Sequence, residues 1–388
     1  MPPYLAGREK ESQEFRRLLR QDTILENMVL TGLRGVGKTV LLDTFKPLAI
    51  EKGWLWVGTD LSESTSLSEE NIAIRLLTDL SVVTSSIVIG KEIVSSIGYI
   101  PQKKEVRHTL NYETLVQIFE QTAGLVSDKI KNVLEVVWRC LEGQNRRGLI
   151  FAYDEAQNLA DHSVKEQYPL SLLLDVFQSI QKKDIPFMLV LTGLPTLFPK
   201  LVEARTFAER MFRVVFLDRL NEADSRDAIL KPIESTNCPV RFHGNSVNTI
   251  CRVSDGYPYF IQFICREVYD VFIQKFGVGE EPSVPVDEIV RKLDSDFFAG
   301  RWARATDRQR ELLGVIATLE NCDSEFMVQE VVERSKQKLE KPFSSSHVNQ
   351  MLASLSEAGL VYKNRYGKYS FAVPLLSQFI SRQSRRNN

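Results

Sequence analysis

A glycine-rich segment at residues 32–39, Gly-Leu-Arg-Gly-Val-Gly-Lys-Thr, lies between a short apolar run and a stretch of helical character. The run before it, residues 28–31, has the composition of a buried parallel strand, and residues 38–50 read as a helix. Glycines let such a loop curl so that its backbone N–H groups point inward, and the helix that follows adds the positive end of its dipole. The pattern predicts a phosphate-binding strand–loop–helix unit, and therefore an α/β fold. The alternative is a glycine-rich turn that matches this pattern by chance.

Two side chains of the segment have specific roles in a phosphate-binding loop. Lys38 is expected to reach the β- and γ-phosphates of a nucleotide, and the Thr39 hydroxyl is expected to bind Mg²⁺. The predicted nucleotide-binding positions are Gly32, Leu33, Arg34, Gly35, Val36, Gly37, Lys38, Thr39 and Val40.

A pair of acids follows a second apolar strand directly. Asp154 and Glu155 come after residues 148–153, so both carboxylates are expected at the carboxyl edge of the sheet, where open α/β folds bind ligands. Asp154 is predicted to hold the magnesium shell and Glu155 to polarise a water for attack on the γ-phosphate. The alternative is an acidic turn after a strand.

A polar residue ends the next predicted strand, residues 187–192. Thr192 is expected beside the same edge of the sheet, where its hydroxyl can hold the attacking water or the γ-phosphate. The alternative is a threonine that ends a strand for backbone reasons alone.

Strands that alternate with helices predict a three-layered, parallel α/β sheet. A nucleotide-binding domain is expected at residues 1–220, a helical lid at about 221–285 and a further domain at 286–388. Because no clear strand stands between residues 85 and 143, a helical insertion is expected at about 85–145. Lys91 and Glu92 interrupt the apolar stretch 80–100, which predicts a packed helical segment and no membrane span.

Composition limits the other functional classes. The 388 residues have an ordinary globular composition, with 43% hydrophobic and 26% charged residues, and a net charge of only -1. Any attraction to nucleic acid must therefore come from a local patch. The five cysteines lie far apart and without metal-ligand spacing, and the N-terminus lacks the layout of a secretion signal. A cytoplasmic protein is expected.

These elements, in this order, resemble the AAA+ ATPases, within the branch that includes origin-recognition initiators, bacterial transposition ATPases and STAND-type signalling ATPases. Residues 32–39 match Walker A, residues 149–155 match Walker B, and Thr192 falls at the sensor-1 position. The opening segment 4–9, with Leu5 and Arg8, resembles the segment that lies beside the adenine in these families. The resemblance covers about residues 4–275 and implies binding of ATP and its hydrolysis.

Two further positions follow from the resemblance. Arg210 matches the region of the arginine finger, which acts on a neighbouring subunit and implies a homo-oligomer. The alternative is that Arg205, Arg210 and Arg213 are surface or salt-bridged charges. The lid carries Tyr257 where initiators have a sensor-2 arginine, and Gly256-Tyr257-Pro258 resembles the Gly-x-Pro signature that places a proline near the adenine. This departure implies slow hydrolysis, although Pro258 is also a typical first-turn proline.

The C-terminal stretch reads as three helices followed by a hairpin, and it resembles a winged-helix domain. Residues 300–388 contain 14 Lys and Arg against 9 Asp and Glu, so the basic charge is concentrated here. Lys363, Arg365 and Lys368, with Tyr366 at the hairpin tip, are predicted contacts to double-stranded DNA. Winged helices also serve as protein-contact modules, which leaves that alternative open.

The sequence thus predicts a Mg²⁺-dependent ATPase that acts as a nucleotide-controlled switch or assembly factor on DNA. The alternative is a STAND-like switch that gates a protein partner without binding DNA. A small-molecule kinase with the same loop fits the acid pair and the lid less well.

Overall fold

The computed structural model describes residues 4–95, 103–144, 146–236, 238, 240–275, 284–365 and 367–386. The chain forms two compact units. One contains residues 9–31 and 38–216, and the other contains residues 32–37, those from 217 onward and the N-terminal residues up to Arg8. Each unit has its own apolar core.

The strands, in chain order, are β1 Asn27–Gly32, β2 Trp54–Val57, β3 Val88–Ser95, β4 Lys103–Thr109, β5 Gly148–Tyr153, β6 Phe187–Gly193, β7 Phe212–Leu217, β8 Phe326–Met327, β9 Val361–Arg365 and β10 Lys368–Phe371. The helices are α1 Glu9–Leu18, α2 Lys38–Glu51, α3 Glu69–Thr84, α4 Tyr112–Gln121, α5 Val126–Leu141, α6 Pro169–Gln181, α7 Leu197–Ala204, α8 Ala208–Met211, α9 Glu222–Glu234, α10 Gly244–Ser254, α11 Pro258–Lys275, α12 Val286–Leu293, α13 Ala299–Trp302, α14 Asp307–Ile316, α15 Val328–Lys338, α16 Ser345–Glu357 and α17 Leu376–Arg386.

The first unit is built on a five-stranded sheet in the order β2-β5-β6-β1-β7. The pairs β2–β5, β5–β6 and β6–β1 are parallel. Every residue of β1, β5 and β6 is buried, because helices cover both faces of the sheet. The prediction of a three-layered parallel α/β sheet is confirmed. This order places the ends of β1, β5 and β6 side by side, which positions the candidate site.

The predicted helical insertion is wrong over its first part. Residues 88–95 and 103–109 form an antiparallel strand pair, with Val88 opposite Thr109 and Ser95 opposite Lys103. Residues 88–94 contain four β-branched residues that favour a strand. Gly90, Lys91 and Glu92 interrupt these β-branched residues. The segment therefore lacks the continuous apolar run that predicts the other strands. The packed helical segment predicted over 80–100 ends at Thr84, the last residue of α3. The helices α4 and α5 follow, as the periodicity predicts.

The second unit contains α9, α10 and α11, and then α14, α15 and α16 with a small sheet in the order β8-β10-β9. Both pairs of that sheet are antiparallel. Ser344 caps α16, because its hydroxyl accepts a hydrogen bond of 3.3 Å from the His347 amide. Three helices with a hairpin wing are the predicted winged-helix arrangement. The predicted boundary near residue 285 adjoins residues 276–283, which lie outside the described residues, and it stays a prediction.

Among the described residues, no helix combines the length and the apolar character needed to cross a bilayer.

Candidate nucleotide site and candidate nucleic-acid surface

The two predicted metal ligands lie together in the first unit. Thr39 is the second residue of α2, and Asp154 follows the last residue of β5. The Thr39 hydroxyl donates a hydrogen bond of 2.5 Å to Oδ2 of Asp154. The sheet order thus joins residues that are 115 positions apart in the chain.

Asp154 is a buried acid whose main chain is hydrogen-bonded through both its amide and its carbonyl. The residue is 4% exposed. The Asp154 amide donates to the Thr59 carbonyl at 3.2 Å, and the Leu61 amide donates to the Asp154 carbonyl at 2.9 Å. Burial raises the pKa of Asp154, hydrogen bonds from Thr39 and from the Glu155 amide lower it, and the charges of Glu155 and Asp60 raise it. A cation at this carboxylate would relieve both the burial and the repulsion.

The oxygen atoms at this point fit Mg²⁺. A cleft of about 210 Å³ is lined by residues that include Thr39, Asp43, Asp60 and Asp154. Hydroxyl and carboxylate oxygens are hard ligands, and Mg²⁺ bound beside phosphates uses one or two carboxylates and keeps several waters. Within the described ranges, no group of three or more His, Cys, Asp and Glu side chains is arranged to hold a metal. A phosphate-assisted Mg²⁺ site does not require such a group.

Glu155 is exposed and is held by a glutamine that the sequence interpretation missed. Its backbone is left-handed, with φ of 50°. The Gln157 amide nitrogen donates to the Glu155 carboxylate, while the Gln157 amide oxygen accepts from the Leu194 amide at 3.1 Å. Gln157 therefore connects the predicted base to the segment that follows β6. Its position two residues after Glu155 was the only sequence signal.

Thr192 lies at the end of β6, and a second threonine lies beside it on β1. Thr192 pairs with Leu30, and Thr31 pairs with Gly193. Both hydroxyls are buried and have no hydrogen-bond partner in the described structure. An unsatisfied buried hydroxyl costs about 1–3 kcal/mol of stability. A bound polar atom that forms a hydrogen bond with either threonine would remove this cost. Thr31 was not predicted.

The glycine-rich loop 32–37 belongs to the second unit. Gly35 and Gly37 adopt left-handed backbone, with φ of 80° and 92°. The guanidinium of Arg8 donates to the Val36 carbonyl at 2.9 Å and to the Asp218 carbonyl at 2.7 Å. The Tyr259 amide donates to the Gly35 carbonyl at 3.0 Å. The loop is therefore held by the N-terminal segment and by the first turn of α11.

The other predicted loop positions differ in exposure. Lys38 is the first residue of α2 and is 9% exposed. Leu5, Leu33 and Val40 are half-buried. Their contacts to a nucleotide stay predictions.

Pro258 is the first residue of α11. Gly256, with φ of 74°, precedes it, and its carbonyl accepts from the Leu220 amide at 2.8 Å. A β-carbon at Gly256 would lie 2.3 Å from the Leu220 carbonyl oxygen, so the turn requires glycine. Pro258 occupies the first-turn position that suits proline, and a role beside the adenine stays a prediction.

The three arginines near β7 differ in their partners. Arg205 binds Asp175 through two hydrogen bonds of 2.8 and 2.7 Å. Arg213 binds Glu14 at 3.0 and 3.1 Å. Arg210, on α8, is exposed. The salt-bridge interpretation therefore holds for Arg205 and Arg213, and the finger role of Arg210 stays a prediction.

The exposed start of α16 and the wing form the candidate nucleic-acid surface. Ser346, His347, Asn349 and Gln350 are exposed, whereas Val348 between them is buried. Lys368 forms a salt bridge of 3.2 Å with Glu325, which reduces its charge toward a ligand.

The other residues predicted to contact DNA at the wing are Lys363, Arg365 and Tyr366. Lys363 is exposed. Tyr366 and the side chain of Arg365 lie outside the described residues. The wing contacts stay predictions.

The strand order, together with the glycine-rich loop after β1 and the acid pair after β5, defines the class of fold. The chain has the AAA+ P-loop NTPase fold. Its neighbours among solved structures include two structures of the Aeropyrum pernix ORC2 protein. The ADP form has a TM-score of 0.54 and 14% sequence identity, and the match covers 99% of this chain and 96% of that chain. The structure titled ADPNP-ADP complexes has a TM-score of 0.52 and 15% identity, with coverage of 100% and 97%.

Identities of this size show the fold alone. Residues 295–380 match the family described as a domain of unknown function, DUF8462. No protein of curated function matches the chain. The predicted resemblance to the origin-recognition branch is confirmed for the fold, and the activity has to be argued from the site.

Proposed function

We propose that this chain binds ATP with Mg²⁺ through residues 32–39, hydrolyses it slowly, and uses the nucleotide state to control assembly or attachment to DNA. The observation that carries the proposal is the 2.5 Å hydrogen bond between Thr39 and Asp154. It joins the end of the glycine-rich motif to the first of the two acids. The ADP and ADPNP-ADP forms of the ORC2 protein, which has the same fold, support an adenine nucleotide as the ligand.

Binding rests on the loop and on the start of α2. Left-handed backbone at Gly35 and Gly37 supports a curled loop whose N–H groups surround phosphate oxygens. Lys38 follows this loop directly and supplies a positive charge for the β- and γ-phosphates. Mg²⁺, held by the Thr39 hydroxyl and Asp154, would neutralise charge on the phosphates.

Hydrolysis needs an oriented water. The Glu155 carboxylate, which Gln157 holds, polarises a water that attacks the γ-phosphorus. The water passes a proton to the Glu155 carboxylate as its oxygen bonds to phosphorus, the bond from phosphorus to the ADP oxygen breaks, and ADP and phosphate leave. The unsatisfied hydroxyl of Thr192 accepts a hydrogen bond from this water or donates one to an oxygen of the γ-phosphate.

We expect slow turnover because the lid has a tyrosine in place of a nucleotide-contacting arginine. Tyr257 stands at the position where related initiators place an arginine that contacts the nucleotide. Without that charge, the side-chain cations proposed for the transition state are Lys38 and Arg210 of a neighbouring copy. We therefore expect turnover to depend on assembly into a homo-oligomer.

DNA is the proposed partner of the winged-helix region. The exposed polar side chains at the start of α16 can form hydrogen bonds with base edges in a DNA groove, and Lys363 on the wing can contact a backbone phosphate. The alternative, a STAND-like switch that binds a protein partner, is supported by the Gly256-Tyr257-Pro258 sequence and by the Lys368–Glu325 salt bridge, which reduces the basic charge of the wing.

The test of the ATPase uses two variants in parallel. Glu155→Gln should bind ATP with unchanged affinity and lose hydrolysis, because the amide cannot accept the proton. Lys38→Ala should lose binding itself. Calorimetry gives the affinity and phosphate release gives the rate. Full hydrolysis by Glu155→Gln would remove Glu155 as the base, and the absence of ATP binding by the wild type would refute the proposal.

The test of DNA binding is a gel shift at two salt concentrations, with and without ATP. Binding through backbone phosphates should weaken as salt rises, because counterion release drives it. Under the proposal, the Glu155→Gln protein with trapped ATP binds the duplex more tightly than the nucleotide-free protein. Binding that responds to neither salt nor nucleotide would favour the protein-partner alternative.

A further inference from the structure

A small pocket in the second unit brings together three arginines from distant parts of the chain. Arg34 comes from the glycine-rich loop, whereas Arg301 and Arg304 come from α13 and the residues just after it. The pocket has a volume of about 290 Å³. We call it the arginine pocket. It shares no lining residue with the Thr39–Asp154 cleft.

Among the described residues, the three guanidinium groups form no ion pair with an acid. Within the described part of the chain, none of them lies within 4.0 Å of a carboxylate. Arg301 donates to the Phe297 carbonyl at 2.5 Å and stacks over the Phe297 ring at 4.4 Å. Arg34 and Arg304 are exposed. Two of the three groups therefore have their hydrogen-bond donors turned to solvent.

One acid lines the same pocket. The carboxylate of Asp296 accepts a hydrogen bond of 2.6 Å from the Ser295 hydroxyl. Three positive charges against one negative charge leave a local excess of positive charge. The chain as a whole has a net charge of only -1, so this excess is a local property of the pocket.

The arginines are close enough to repel one another. Burial is the main cause that lowers the pKa of Arg301, and the charge of Arg34 lowers it next, while Tyr259 raises it and Arg304 lowers it. Like charges that are held together without counter-charges destabilise the ligand-free protein, and an anion placed between them removes that cost.

The rest of the lining leaves room for a ligand. Gly300, Ala358 and Gly359 line the pocket and have little or no side chain. A β-carbon built on Gly300 meets no atom within 4 Å, so the space beside it is open. The volume corresponds to about ten waters, which accommodates a phosphate or a diphosphate group and its first waters. Guanidinium groups match phosphate oxygens with two parallel hydrogen bonds each.

We propose that the arginine pocket binds a phosphate group, carried either by a small polyphosphate or by a DNA backbone. A phosphate held by all three arginines links the glycine-rich loop, through Arg34, to residues 295–380, through Arg301 and Arg304. This second anion site does not depend on ATP hydrolysis. Its occupancy ties the position of the loop to that of the C-terminal region.

The first experiment separates phosphate binding in this pocket from binding at the proposed ATP site. The full-length Lys38→Ala protein, in which the loop has lost its lysine, is titrated with pyrophosphate by calorimetry. We expect binding to persist, and we expect Arg304→Gln in the same background to weaken it by at least about tenfold, since a hydrogen bond to a charged group contributes about 1.5–3 kcal/mol. Arg304→Lys should recover part of the loss. Arg304 is exposed, so the substitution is not expected to disturb folding.

The matched control is Arg291→Gln, which removes the same charge from an exposed position of α12 and should leave the pyrophosphate affinity unchanged. Equal weakening by both variants would mean that only net charge matters and would overturn the site. Loss of all pyrophosphate binding in the Lys38→Ala protein would overturn it as well.

A second arm identifies the source of the phosphate. If a DNA backbone occupies the pocket, Arg304→Gln should weaken duplex binding and reduce the salt slope by about one, and pyrophosphate should compete with the duplex. If a small polyphosphate is the ligand, only the pyrophosphate affinity should change. If Arg304→Gln changes neither affinity, the proposal is wrong. ATP binding by the otherwise wild-type protein is measured separately, so a failure of the proposed ATPase function is distinguishable.

Discussion

Replacing Asp154 by Asn should have opposite effects on the ligand-free protein and on the Mg²⁺·ATP complex. Asp154 is a buried carboxylate whose pKa is raised chiefly by burial. At neutral pH, burying the Asp154 charge therefore lowers the stability of the protein, whereas a neutral asparagine amide at this position does not carry that cost. The asparagine keeps both hydrogen bonds without a charge, because its oxygen accepts from the Glu155 amide and its nitrogen donates to the Thr39 hydroxyl. The loss of charge assistance, about 1 kcal/mol for each bond, offsets the relief from desolvation, so the ligand-free stability should change by less than about 1 kcal/mol.

The nucleotide complex should respond differently, because Asn is a poor ligand for Mg²⁺. At a Mg²⁺·ATP concentration of about 100 times the dissociation constant, the wild type gains about 2.7 kcal/mol from binding. A tenfold weaker complex gains about 1.4 kcal/mol at the same concentration. The difference of about 1.3 kcal/mol corresponds to roughly 2–5 °C in the unfolding midpoint.

The pH dependence gives an independent check. Because the folded pKa of Asp154 lies above its unfolded value, near 3.9, the folded state holds the proton more tightly. This group stabilises the protein below pH of about 3.9, and that contribution is lost as the pH rises through the raised folded pKa. In the ligand-free Asp154→Asn protein, the free energy of unfolding should not show this decrease as the pH rises.

The assay is calorimetric titration with ATP, with Mg²⁺ and with EDTA, together with thermal unfolding. Asp60→Asn, which removes an exposed acid beside the same cleft, is the control and should keep most of the Mg²⁺ effect. If Asp154→Asn shows the same enhancement of ATP binding by Mg²⁺ as the wild type, Asp154 is not a metal ligand and the reasoning fails.

Three further changes test single contacts. Gln157→Ala should lower the hydrolysis rate about tenfold and leave ATP affinity unchanged, because it only frees Glu155; a rate equal to the wild type in phosphate-release assays would contradict this. Thr192→Val removes an unsatisfied hydroxyl at nearly constant volume, so chemical denaturation should show about 1 kcal/mol of added stability while hydrolysis falls, and a loss of stability would show that the hydroxyl is satisfied. Lys363→Gln should reduce the salt slope of duplex binding by about one, and an unchanged slope would exclude Lys363 as a phosphate contact.

The strands β1, β5 and β6 were predictable because they are buried on both faces of the sheet. Such strands appear as uninterrupted apolar runs, and β5 begins and ends where the sequence predicts. The strand pair β3–β4 was not predictable in this way. It has no uninterrupted run, and what identifies it is the pairing of two segments across a gap in sequence.

The chemistry of the site was predictable only where residues follow a motif. Lys38, Thr39, Asp154 and Glu155 belong to recognisable segments, and the structure places Thr39 against Asp154. Gln157 acts through a side-chain contact that no motif encodes. The arginine pocket depends on the fold bringing Arg34 to residues more than 260 positions away, which only coordinates reveal.

The backbone of Glu155 has a consequence for which residues this position tolerates. A φ of 50° is the left-handed region, which glycine and asparagine adopt readily and which costs a branched or longer side chain about 1 kcal/mol. In a library of variants screened for folding alone, Gly and Asn at position 155 should therefore be enriched over Glu. Screened for turnover, the same library should return the glutamate, so the ratio of the two enrichments measures what this carboxylate contributes beyond the fold.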